Sequence, residues 1–214
     1  MKISLFFITV ICICGIAVTL AWAGNDGFAT SKEEIITGLT HETPEKPMSR
    51  GLTRGLTRGY SPIHNESDSR TRSIVIREKH KEQIIEKQIM VSETDPTPRV
   101  NLTIEFDRDS CAIRPVSFSL LDALGQALGD AALADKPVMI VGHADADGPD
   151  AYNLALSMNR ALAVKYYLQG RYGVPESRVR AVGFGEAVPI APNTTPENKQ
   201  KNRRVEVRLD QGAW

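Results

Sequence analysis

Two side chains of opposite charge, Asp145 and Arg160, stand fifteen positions apart in residues 142–161, GHADADGPDAYNLALSMNRA. A carboxylate and a guanidinium brought together can tie a loop to a helix as an internal ion pair. They can equally grip the two ends of a zwitterion, with its ammonium at Asp145 and its carboxylate at Arg160. At 100° per residue, Asn153, Leu156, Ser157, Arg160, Ala161, Val164 and Leu168 share one face of a helix. Its apolar members make that face the buried one, so Arg160 stands beside the core, where a guanidinium without a partner is costly. Asp145 lies just past a short apolar run, and open α/β sheets bind their ligands beyond strand ends. Free N–H groups where the helix begins, after Gly148, add an anion-binding end. Spacing alone leaves the structural tie and the ligand clamp both open.

Other constellations are weaker. His143, Asp145 and Asp147 alternate as metal ligands on a strand could, but no second His or Cys cluster accompanies them, and neither a metal nor a cofactor is expected. His143 reads instead as a hydrogen-bonded residue at a strand end. Cys111 and His143 lack a third orienting group for nucleophilic catalysis, and Gly183-Phe184-Gly185 is too short for a dinucleotide loop. The chain is therefore read as a binding protein and not an enzyme. With 26 basic and 26 acidic residues and a pI near 6.9 it has no basic excess, and nucleic acid is not an expected partner.

The elements that would position Asp145 and Arg160 fill residues 99–210. Val100, Leu102, Ile104 and Phe106 alternate with polar residues as a half-buried strand does. A helix is predicted over 116–133, then a strand over 138–141 buried on both faces, then the helix from about 149 to 171, with Pro149 suited to its first turn. Residues 178–184 alternate as a third strand. A long loop with Pro189, Pro192 and Pro196 leads to a fourth, where Val205, Val207 and Leu209 alternate with Arg204, Glu206 and Arg208. The fold class predicted is α/β, a two-layer sandwich of β-α-β-α-β-β order with a mixed sheet.

Residues 1–23 read as a signal peptide: Lys2, an apolar run, and Ala21-Trp22-Ala23 before the cleavage point. Neither Cys12 nor Cys14 follows a small residue, so no lipoprotein cysteine is expected. Cys111, the remaining thiol, reads as a small half-buried residue. Residues 24–98 read as a flexible, low-complexity linker, with a direct repeat of Gly-Leu-Thr-Arg at 51–58 that Gly38-Leu39-Thr40 echoes. Within it Ile84, Ile85, Ile89 and Met90 recur at helical spacing and predict a short helix over 74–91.

The folded half resembles the OmpA-like C-terminal domain family, peptidoglycan-binding modules shared by OmpA, Pal and flagellar stator anchors. The pieces that carry the resemblance are IEFDRDSCAIRP (104–115), GHADADG (142–148), AYNLALSMNRALAVKYYL (151–168), VRAVGFGEAVPIAPNTT (179–195) and NRRVEVRL (202–209). The resemblance implies that Asp145 and Arg160 grip the zwitterionic end of diaminopimelate in the peptidoglycan stem peptide. It implies that Asn153, Leu156 and one arginine of the Asn-Arg-Arg run shape the pocket. Strand parity with Val205 and Val207 selects Arg203 for that place and turns Arg204 away. Ala144 stands where OmpA itself usually has Thr, although Pal-type members also carry Ala. The polar, proline-interrupted N-terminal region is too short for an eight-stranded barrel, and its first apolar run lacks the carboxylate expected of a proton-driven stator anchor. The expected protein is thus exported to the periplasm, associated with the cell wall and the outer membrane. It would bind peptidoglycan and meet an envelope protein partner through residues 24–91. The alternative is an envelope protein-interaction module in which Asp145 and Arg160 form only a structural ion pair.

Overall fold

The computed structural model describes residues 27–40, 71–80, 83–92, 95 and 97–212. Residues 1–23, read above as a signal peptide, and the Gly-Leu-Thr-Arg repeat at 51–58 lie outside them. Element order is α1 (Lys32–Thr40), β1 (Thr71–His80), β2 (Gln83–Ser92), β3 (Arg99–Leu102), α2 (Phe118–Leu128), β4 (Val138–Gly142), α3 (Asp150–Tyr172), β5 (Val179–Gly183), α4 (Pro196–Asn202) and β6 (Val205–Leu209). The six strands form one mixed sheet of order β2-β1-β5-β4-β6-β3. β4 and β5 run parallel across the α3 crossover, and the other pairs are antiparallel. Helices lie on one face of the sheet, as the predicted α/β sandwich requires. Among the described residues no helix is long and apolar enough to cross a membrane.

The period-2 alternation of β4, β5 and β6 separates two cores. Val138, Ile140, Val179, Ala181, Val205 and Val207 turn toward the helices and pack with Leu121, Leu124, Val164 and Leu168. Met139, Val141, Val182 and Phe184 turn to the far face and cluster with Ile74, Ile76, Ile89 and Val91. The second cluster corrects the helix predicted over 74–91. Those residues form a β-hairpin whose ten pairs run from Thr71↔Ser92 to His80↔Gln83. The helical spacing of Ile84, Ile85, Ile89 and Met90 was coincidental. On a strand Ile85, Ile89 and Val91 share one face, Ile84 and Met90 take the other, and burying Ile89 and Val91 on the far face decides the matter.

Five further differences concern local chemistry. Residues 32–40, predicted as linker, form α1, with Ile35 and Leu39 fully buried. Ser31 caps α1 through Glu34 N–H, and Thr30 N–H closes a reciprocal bond to Glu34. The first strand stops at Leu102, and α2 at Leu128, five residues short of the predicted helix end. The long loop after β5 contains α4, begun by Pro196 behind a Thr195 cap that accepts from Asn198 N–H. Cys111 is exposed, not half-buried, because it sits on the turn at 107–112.

α3 crosses the strand ends where the sheet has no side chains to hold it off. A Cβ on Gly142 would stand 2.0 Å from the Ser157 carbonyl oxygen, and one on Gly183 2.6 Å from the Met158 nitrogen. These glycines let the first half of α3 lie directly on the carboxyl ends of β4 and β5.

Candidate functional site

Beyond the carboxyl end of β4 the chain makes a short acidic loop and re-enters the fold as α3. Backbone bonds from His143 N–H to Arg204 O (3.0 Å) and from Ala144 N–H to Gly185 O (2.8 Å) hold the loop's stem between β6 and the loop after β5. Asn153, in the first turns of α3, then staples the loop. Its Nδ2 donates to the carbonyls of Asp145 (3.1 Å) and Asp147 (3.0 Å) and to Glu186 Oε2 (2.6 Å). Asn153 is 2% exposed, so this anchoring is its main work. Lys199 Nζ of α4 pins Asp147 Oδ1 at 2.7 Å from the other side.

The loop and α3 border a cleft of about 620 Å3, and all five residues singled out in the sequence (Asp145, Asn153, Leu156, Arg160 and Arg203) line it. The pairing inside it differs from the simple tie. The Asp145 carboxylate contacts the Arg203 guanidinium and accepts from Asp147 N–H at 3.1 Å. Arg160 reaches the same cleft without a carboxylate within ion-pairing distance among the described residues; its Nε donates to Ser110 O at 3.0 Å, and its guanidinium lies 5.0 Å over the Phe106 ring. Burial presses the Arg160 guanidinium below its ordinary value; Tyr152 opposes this, Arg203 adds to it, and Asp145 and Asp109 oppose it more weakly. The cleft therefore presents a carboxylate with one cationic neighbour and a second cation that no carboxylate of the described residues reaches at ion-pairing distance.

Arg203 stands at the end of α4 and Arg204 turns to the other face, as strand parity predicted. Arg204 is part of a buried polar layer on the far side of the sheet. It donates to Asn101 Oδ1 (2.9 Å) and Val188 O (3.2 Å), and Nη2 stands 3.7 Å from Glu206 Oε2. Arg208 bridges Asp95 (2.8 Å) and Glu206 (3.0 Å). His143 Nε2 lies 3.3 Å from Glu206 Oε2, edge-on to Phe184. Burial, reinforced by Arg204, pushes the His143 imidazole down to about 4, so it is neutral near pH 7. Burial works to raise the Glu206 carboxyl, but His143, Arg208 and Arg204 outweigh it and hold it well below the carboxylate range. His143 thus belongs to this layer; among the described residues no group of three or more His, Cys, Asp or Glu could hold a metal ion.

Sequence reasoning missed Phe106, which stacks under Arg160, and Ser110, whose carbonyl orients it. It also missed Tyr152 and Arg114 on the cleft wall. Arg114 carried a usable signal, a charge in an apolar approach; the carbonyl of Ser110 carried none.

Comparison with known proteins follows the same boundaries. The OmpA family matches residues 105–203. Outer membrane porin F of Pseudomonas aeruginosa is 38% identical over 115 residues, 54% of this chain and 32% of that protein. Peptidoglycan-binding protein ArfA of Mycobacterium bovis is 38% identical over 104 residues, 49% of this chain and 31% of its own length. The chain thus spans about a third of each of these relatives. Among solved structures, the peptidoglycan-associated lipoprotein from Burkholderia pseudomallei is 30% identical with a TM-score of 0.45, covering 50% of this chain and 87% of that one.

Proposed function

We propose, for a chain that belongs to the OmpA family through residues 105–203, that it binds peptidoglycan non-covalently and tethers an exported envelope protein to the cell wall. The recognised group is the diaminopimelate of the stem peptide. The observation that carries this reading is the separation of charges in the cleft. Asp145 offers an acceptor for an ammonium, while Arg160 offers a guanidinium that no carboxylate of the described residues meets. A zwitterionic amino-acid end satisfies both, whereas a purely structural tie would have paired them with each other. The peptidoglycan-binding name of the ArfA relative supports the ligand class. Periplasmic localisation beside the wall and outer membrane follows from the same reading. The envelope partner expected through residues 24–91 would meet, within this range, the outer face of the β1–β2 hairpin, where Val75, Ile84 and Met90 are exposed.

Affinity should be modest, because a small cleft with two charge-assisted contacts leaves little surplus over the cost of binding. The test is co-sedimentation of the purified protein with diaminopimelate-type sacculi. Wild type should pellet, Arg160→Ala should stay in the supernatant, and no soluble muropeptides should be released. Wild type that never pellets ends the proposal. Pelleting unchanged in Arg160→Ala would move recognition away from this cleft.

A further inference from the structure

The two edges of the sheet are finished differently. At β3 the edge is closed by chain from before α1. Phe28 bridges Asn101, Ala29 N–H donates to Asn101 O at 2.9 Å, and α1 docks nearby through buried Ile35 and Leu39. At the opposite edge β2 pairs with β1 and meets no strand on its outer side among the described residues. Alternate residues of such a strand turn their N–H and C=O groups outward with nothing to pair them. Proteins usually blunt an edge by keeping it short or by placing a proline or a bulge in it. β2 does none of this: it runs ten residues without proline, and its ten pairs with β1 are uninterrupted.

The side chains of β2 are those of an interior strand. Ile84 and Met90, 53% and 61% exposed, lie on one face, and Ile85, 39% exposed, lies on the other with buried Ile89. Apolar residues on both faces suit a strand with neighbours on both sides. The order of the residues says which neighbour. Ile84-Ile85-Glu86-Lys87-Gln88-Ile89-Met90 reads apolar, apolar, polar, lysine, polar, apolar, apolar from either end. An antiparallel partner is read in reverse, so this pattern is complementary to its own copy. A two-fold axis normal to the sheet at Lys87 sets Ile84 against Met90, Ile85 against Ile89 and Glu86 against Gln88. An axis one residue to either side sets Lys87 against Ile85 or Ile89 instead. The chain's own residues 41–70 offer no comparable strand. Proline or glycine interrupts them repeatedly, and the longest run free of both, 63–70, has Ile63 as its single apolar residue.

We propose that β2 is a dimerisation edge, where two copies of this chain join their sheets antiparallel about Lys87 through about eight to ten main-chain hydrogen bonds. The two Lys87 side chains, exposed in the single chain, then stand opposite each other. That like-charge contact keeps the association weak and reversible. Ile84 and Met90 meet side by side, so their face stays open to a further partner. None of the residues lining the cleft lies on the hairpin, and the inference stands apart from the wall-binding reading.

The experiment is analytical sedimentation of the full-length protein over a range of concentrations, without sacculi, followed by native mass spectrometry of a mixture. A monomer–dimer equilibrium is expected. Lys87→Glu alters an exposed side chain and still faces its own charge in a homodimer. Mixed with isotopically labelled wild type, it should form heterodimers about fivefold tighter than either homodimer, so that they exceed their statistical half share. No other two-fold register sets Lys87 opposite itself, and the preference therefore reports this pairing. A monomer at every concentration overturns the proposal; slow hydrogen exchange along β2 in that monomer would give the edge to another segment of the chain. A dimer with no preference for mixing overturns it too, and moves the contact to another surface. Dimers that never pellet with sacculi would leave this inference standing and end the wall-binding reading. Monomers that do pellet would do the reverse.

Discussion

Arg160 owes its chemistry to what does not touch it. Its stem passes through a buried helix face and its Nε is fixed by the Ser110 carbonyl, yet no carboxylate among the described residues reaches it. Replacing it by alanine removes a charge-assisted contact of about 2 kcal/mol, so affinity for a diaminopimelate tripeptide should fall about 30-fold by calorimetry. Stability should fall by only about 1 kcal/mol, the worth of the Ser110 bond and the Phe106 contact. A large loss of melting temperature would instead mark Arg160 as structural. His143 predicts a pH dependence. Its folded-state value of about 4 lies below the ordinary 6.5, so the unfolded chain takes up the proton first as pH falls. The stability it contributes is complete above about pH 6.5 and is lost as pH drops toward 4, by roughly 3 kcal/mol at most. Glu206, also depressed, acts in the same direction at lower pH. Thermal melts between pH 7 and 4 should show this fall, and His143→Gln should flatten its upper part.

At the scale of elements, the site depends on how closely α3 lies on the sheet. Gly142→Ala puts a methyl group 2.0 Å from the Ser157 carbonyl oxygen, where backbone cannot yield as a flexible side chain would. We expect about 2–3 kcal/mol of destabilisation in urea melts, with weaker peptide binding as the turn bearing Arg160 is lifted from the Asp145 loop. The helix and loop were legible in the sequence because their signals are local: a 3.6-residue period, Pro149 at the start, an acidic stretch after an apolar run. Leu156 shows the limit of that reading. It shares the buried face by angle, yet it is half-buried because it lines the cleft beyond the core. The charged positions of β6 were harder. Arg204, Glu206 and Arg208 alternate with valines and read as a solvent-facing row, but they are buried because Asp95, Asn101 and His143 come from distant chain to meet them. No period within β6 contains those partners.

For the whole molecule, the hairpin was the part least visible in advance. A short apolar run names neither its period nor its partner, and what makes 71–92 a pair of strands is a sheet edge and a far-face cluster supplied by residues some 50 to 110 positions away. The far face is consequently not a solvent face. Ile76, 1% exposed within it, should cost about 2–4 kcal/mol when truncated to alanine. One cooperative denaturant transition monitored across hairpin and domain would show that both unfold together. An unchanged midpoint would return residues 71–92 to the status of a linker.

That hairpin also has a mechanical meaning. β1 is paired in register with β5 at Arg77↔Gly183 and Glu78↔Val182 and packs on it through Ile74 and Ile76, while its pairing with β2 begins at the open end with Thr71↔Ser92. A pull on the chain ahead of Thr71, with the domain held at its cleft, loads those β1–β2 pairs one after another and not all together. Strand pairs opened in sequence part under far less force than pairs sheared at once. Once α1, docked ahead of it through Ile35 and Leu39, has come away, the hairpin would yield next and release about 70 Å of extended chain. The cleft would stay folded on its ligand while the tether lengthens.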